Sequence, residues 1–193
     1  MDTFVGVLIG VGLAAACGFR VFLPFLVMSV AAAAGHLPLA GGFEWIGTTP
    51  ALIAFAVATV VEVLAFYVPW VDNALDVVAQ PMAMLAGVIV TAAVVTDLDP
   101  LWKWSFAIIA GGGVAGTLQG GTVAARGIST LTTAGLGNFL VSTLEVAGAV
   151  ITSLLAVLLP VVGAVLAVGL VVTALRLLRR WRRRRATVPY SSG

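Results

Sequence analysis

The sequence predicts an all-α integral membrane protein of about six transmembrane helices, arranged as two inverted three-helix repeats with kinked, glycine-rich first elements. Three observations carry this. Apolar residues make up 61 % of the 193-residue chain and charged residues 9 %, whereas an ordinary globular chain has about 25 % charged. Several apolar runs reach the roughly 20 residues a helix needs to cross a bilayer, unlike the short alternating segments of a barrel. A stripe of small residues occurs twice: Gly6, Gly10, Ala14, Gly18, then Arg20, and again Gly112, Gly116, Gly120, Ala124, then Arg126. Each member of the second copy lies 106 positions after its counterpart (6 to 112, 20 to 126). Residues four apart share a helix face, so each copy is a flat ridge on which another helix backbone can pack closely in lipid.

The first repeat is expected over residues 1–96, the second over 104–178, and a basic tail over 179–193. Residues 3–34 form one long apolar run, about 48 Å as a helix against about 30 Å of hydrocarbon. Pro24 removes the helical bond to the carbonyl of Arg20, so a kink or a pair of half-helices is expected there. The N-terminal run lacks the positive n-region of a cleaved signal and is expected to be a retained transmembrane segment. Residues 35–49 read as a loop from their glycine, proline and polar content, with Trp45 as an interfacial anchor.

A second span is expected over 51–68, with Glu62 inside it. Residues Pro69 to Asp76 read as a break, followed by a third span to about Thr96 and an aqueous loop from Asp97 to Lys103. The second half then starts at about Trp104 and carries its ridge through Arg126. A Ser/Thr/Gly-rich stretch, Ser129 to Asn138, precedes a span over Phe139 to Leu159 that carries Glu145. Pro160 opens a last apolar run to about Leu175, and Val188 to Gly193 is expected to be disordered. Glu62 followed by Pro69 is echoed by Ser153 followed by Pro160, at the same seven-residue spacing. Three elements per half would give the halves opposite orientations.

Charge placement sets orientation. Seven of the ten cations are Arg176, Arg179, Arg180 and Arg182 to Arg185. Such a cluster beside a span belongs on the cytoplasmic side of the cell's inner (plasma) membrane, and with six spans the N-terminus would lie there too. The tail is expected to attract anionic lipids. Without it the chain is acidic, so the basic pI does not imply nucleic acid. Cys17 has no intrachain partner and hence no disulfide framework.

No catalytic constellation is present. One histidine, one cysteine and no His-Glu-x-x-His run exclude the common metal and thiol chemistries, and no cofactor motif occurs. Gly111-Gly112-Gly113 lacks the Gly-Lys-Ser/Thr of a phosphate loop. The informative side chains are ionisable or polar groups in or beside apolar runs: Arg20, Glu62, Asp72, Asp76, Gln80, Arg126 and Glu145. Each charge costs about 2.5–3.5 kcal/mol or more at a helix centre, so it needs a partner or water. Asp72, Asp76 and Gln80 lie four apart on one face, as a cation-attracting wall or as helix-capping groups. Glu62 reads as an ion or proton site, or as the partner of Arg20 or Arg126. Glu145, beside Ser142 and Thr143, reads as part of a hydrogen-bonded cluster near the interface.

The stretches Gly18-Phe-Arg-Val-Phe-Leu-Pro24, Glu62 with Pro69-x-x-Asp72-x-x-x-Asp76, Gly112-Gly-Val-Ala-Gly116, Arg126-Gly-Ile-Ser-Thr130 and Gly135-Leu-Gly-Asn138 carry a family resemblance. Over about residues 5–160 the chain resembles a bacterial multi-pass membrane family of unknown function numbered 4126. Where the family pattern often has a proline after the Gly-Asn pair, this chain has Phe139. The resemblance implies a small integral membrane protein and brings no activity with it. The residues themselves favour a channel or transporter for a small ion or solute, using a polar centre where the ridge elements meet and working as a homo-oligomer. The alternative is a non-transporting scaffold or accessory subunit whose ridges pack against a partner.

Overall fold

The computed structural model describes residues 2–65, 69–133 and 137–186, the side chains of 69–77 and 181–186 excepted. The described residues are helical, with no strand. In order they are α1 (Thr3–Cys17), α2 (Phe22–Ala33), a 3-10 turn (Glu44–Gly47), α3 (Thr49–Ala65), α4 (Pro69–Val94), α5 (Pro100–Phe106), a π-helical stretch (Ala107–Gly112), α6 (Gly113–Thr133), α7 (Asn138–Leu158) and α8 (Pro160–Ala186). Among the described residues three helices are long and apolar enough to cross a membrane, namely Pro100–Thr133, Asn138–Leu158 and Pro160–Arg180. Shorter apolar helices accompany them. Large apolar side chains face outward along α3 (Ile53, Val60, Leu64), α7 (Leu140, Leu144, Ile151) and α8 (Val161, Val165, Val168). Water does not tolerate apolar surface on that scale; the protein is built for lipid.

Local chemistry explains the boundaries. Asp99 caps α5, its Oδ1 accepting from the Leu101 amide at 2.9 Å, and Pro100 takes the first helical position, where a missing N–H costs nothing. The second long element therefore begins at Pro100, four residues before the sequence reading placed it. The 34–48 connection turns at Gly35 and Gly42, whose φ angles of 75° and 87° suit glycine. It is tied down by Ala40 N–H to the Ala93 carbonyl at 2.7 Å and Ser29 Oγ to the Ile46 carbonyl at 2.6 Å. Helix α4 is continuous from Pro69, so the break expected over Pro69–Asp76 is instead its first two turns. Asp72 and Asn73 lie inside the helix, past any capping position. The expected disorder at Val188–Gly193 lies outside the described residues.

The first apolar run is not one kinked span. It divides into α1 and α2, 15 and 12 residues long, or roughly 22 and 18 Å, each short of the hydrocarbon thickness. Early in α1, Gly10 meets Thr91 and Val94 near the end of α4, and Gly12 meets Ala156 and Gly163 around the α7–α8 junction. Later, Gly18 meets Ala115 to Gln119 of α6, and Phe19 meets Gly148 of α7. Helix α2 then returns: its residues Leu26, Val27 and Val30 share a cavity wall with Leu154, Val157 and Leu158 at the end of α7. The pair is thus a hairpin whose tip, residues 18–21, lies inside the bundle and whose two open ends face the α7–α8 junction.

This corrects two expectations. The second ridge does not break, because Thr130 stands where Pro24 stands in the first copy and keeps its N–H; α6 runs on past Arg126 to Thr133. The ridge copies are also not inverted relative to each other. Gly10 and Gly111 both meet Thr91, and Gly18 meets Ala115 to Gln119, so α1 and α6 run side by side in the same direction.

Candidate functional site

The ridges account for close packing. A Cβ at Gly18 would lie 2.5 Å from Leu118 Cβ and 2.8 Å from the Ala115 carbonyl oxygen, and one at Gly116 would lie 2.8 Å from Met84 Cγ. Gly10 and Gly112 are similarly close to Thr91 and Val88, at 3.0 Å each, whereas Gly120 has ordinary contact with Leu178 at 3.6 Å. Gly6 is buried in α1. Two further glycines are about as tight as Gly18: a Cβ on Gly12 would lie 2.6 Å from Ala156 Cβ, and one on Gly87 2.5 Å from the Gly111 carbonyl oxygen. The sequence reading missed both. On α4 the signal was there, since Gln80, Met84, Gly87, Thr91 and Val94 recur at four- and three-residue intervals, one helix face. Thr91 is fully buried and donates to the Gly10 carbonyl at 3.2 Å. The ridge crossing is therefore a close-packed joint, and the polar centre expected there lies to one side.

Among the described residues that centre is formed by Arg20, Arg126 and Glu145. Their relative exposures are 1 %, 4 % and 4 %, although they sit 19 and more than 100 positions apart. Arg126 Nε donates to Glu145 Oε1 at 3.1 Å, and Arg126 Nη2 donates to Oε2. Arg20 Nη2 reaches the same Oε2 at 3.2 Å and donates to the Ser142 carbonyl at 3.2 Å. One carboxylate thus holds the hairpin tip to α6 and α7. The two-pronged grip on Arg126 is the geometry that makes guanidinium–carboxylate pairs strong. Glu145 is thus the shared anion of a buried cluster that takes in the Ser142 carbonyl. The partner expected for the arginines, Glu62, does something else.

Glu62, near the end of α3, takes the exposed amides at the start of α2. Its Oε1 accepts from the Val21 N–H at 2.7 Å and its Oε2 from the Phe22 N–H at 3.0 Å. The first amides of a helix have no partner within it and carry the positive end of its dipole. Pro24, two residues further on, needs none. The run Gly18 to Pro24 therefore folds as a helix stop, a turn and a helix start, with the carboxylate supplied from a different helix. A cavity of about 640 Å³ borders this point, walled by α3 and α4 side chains with Glu62, Val21 and Phe22 at its edge. A smaller one of about 280 Å³ between α6, α7 and α8 borders Glu145.

Gln80 does not join the charged centre. Its Nε2 donates to the Gly116 carbonyl at 2.9 Å, a bond between helices α4 and α6. The side chains of Asp72 and Asp76 lie outside the described residues. Among the described residues no three His, Cys, Asp or Glu side chains are grouped as a metal site would need.

No curated protein and no solved structure matches the chain. The family model for a domain of unknown function, DUF4126, matches residues 7–180, which takes in the hairpin, Glu62 and all three members of the charged centre. The chain is a member of the DUF4126 family.

Proposed function

We propose that this protein moves a small ion or solute across the bilayer, with the site at the tip of the α1–α2 hairpin. The observation that carries the reading is the helix break at residues 18–21, packed against α6 and α7, after which the Val21 and Phe22 amides are held by Glu62 of another helix. Non-helical backbone at membrane depth is tolerated where protein buries it or it lines a wet cavity. Transporters use half-helix ends of this kind to meet their substrates. The buried Arg20–Glu145–Arg126 centre adds charge where lipid penalises it, which marks ion or proton paths.

In this reading α3, α4, Pro100–Thr133, α7 and α8 cross the bilayer and the hairpin re-enters from one side. Five crossings place the N-terminus opposite the arginine tail. The tail lies on the cytoplasmic face of the inner membrane, against anionic lipid headgroups.

The test is flux in proteoliposomes over a panel of inorganic cations, anions and protons. Wild-type protein carries at least one of them, and Glu62→Gln loses that flux while eluting from gel filtration like the wild type. No flux under any gradient, together with a partner co-purifying in fixed ratio, overturns the reading in favour of a scaffold.

A further inference from the structure

We infer that the cavity between α3 and α4 binds a lipophilic organic cation, one positive charge on an apolar body. The inference deepens the transport reading by naming a ligand class for the hairpin-tip site. Helix α3 is held by α2 and the 3-10 turn, and the space on its other side, toward α4, is the cavity. Its volume of about 640 Å³ falls within the roughly 300–1,000 Å³ of small-molecule sites. Ala54, Val57, Ala58 and Val61 form one wall, at the spacing of a single helix face, and Val78 and Met82 form the other. Small residues on α3 leave the room; apolar ones on both walls exclude strongly hydrated ligands.

Glu62 is the one ionisable side chain among the described residues that line it. A carboxylate has about four lone-pair sites, and the Val21 and Phe22 amides use two. Apart from Glu62 the described lining is apolar. An anion is repelled there. A neutral lipid chain leaves the carboxylate oxygens against hydrocarbon, a costly arrangement. A bare metal ion requires some six oxygen ligands, and the described walls offer one carboxylate. A cation with an apolar body satisfies both the wall and the carboxylate.

The probe is tetraphenylphosphonium, titrated calorimetrically into the detergent-solubilised full chain with matched micelles as blank. The expected result is saturable binding, at least tenfold tighter than that of neutral triphenylphosphine oxide. Ala58→Trp, which fills the chamber, abolishes binding with an unchanged melting temperature, and Glu62→Gln weakens it at least tenfold. Absence of saturable binding to wild-type protein, equal affinity for the neutral probe, or wild-type affinity in Ala58→Trp overturns the inference. The charge comparison needs no variant, so it decides even where Glu62→Gln fails to fold. Binding without flux would refute transport and keep the site; inorganic-ion flux without binding would do the reverse.

Discussion

Replacing Glu145 by alanine tests the charged centre most directly. Glu145 is the shared anion of two guanidinium groups, and all three side chains are at least 95 % buried. At 3.2 Å, the Arg20–Glu145 separation, one pair interacts by about 5 kcal/mol at an effective dielectric constant of 20. The cost of bringing these charges out of water is already met in the fold. Truncation leaves two buried arginines without the carboxylate between them, and breaking such a pair costs about 3–5 kcal/mol. For a chain of this length that corresponds to a melting temperature lower by roughly 6–20 °C, measured by thermal unfolding in mild detergent. Glu145→Gln, which keeps the shape and one acceptor, falls between. A melting temperature for Glu145→Ala within about 2 °C of wild type refutes the assignment of a buried, mutually dependent trio.

Gly18→Ala forces a methyl against Leu118 and the Ala115 carbonyl and lowers stability by about 1–3 kcal/mol. Gly113→Ala, where the new Cβ meets nothing within 4 Å, raises it by about 0.5–1 kcal/mol; equal effects in unfolding assays argue against the packing described. Gln80→Leu removes the bond to the Gly116 carbonyl, lowers stability by about 1 kcal/mol and leaves flux intact; lost flux with normal stability returns Gln80 to the site. A cysteine at Thr3 reacts with a membrane-impermeant thiol reagent from the side opposite a C-terminal tag, with buried Cys17 protected. Labelling of both from one side refutes the hairpin topology.

How much was legible in advance differs between elements. Apolar length and the scarcity of charge identified a helical membrane protein, because lipid leaves the backbone little other choice. Pro24 after Arg20 located the break, a local steric matter. The same rule, applied to Thr130, explains why the second ridge stays whole, yet the repeat had drawn attention to the shared arginine instead. Glu62 was singled out as the key carboxylate, but its role as a cap for α2 was not readable, since nothing in α3 announces which amides will lie beside it.

The sequence by itself determined the class, most helix boundaries and the small set of charges that lipid would not tolerate unpaired. Each follows from forces acting within a few residues: hydropathy, a missing N–H, a missing Cβ. Only the tertiary structure decided that α1 and α2 double back, that the ridges run parallel, and that Glu145 serves both arginines. Those outcomes join positions such as Arg20 and Ser142, 122 residues apart. Which acid meets which base is set by how whole helices pack, and that is a sum over many contacts that no single motif encodes.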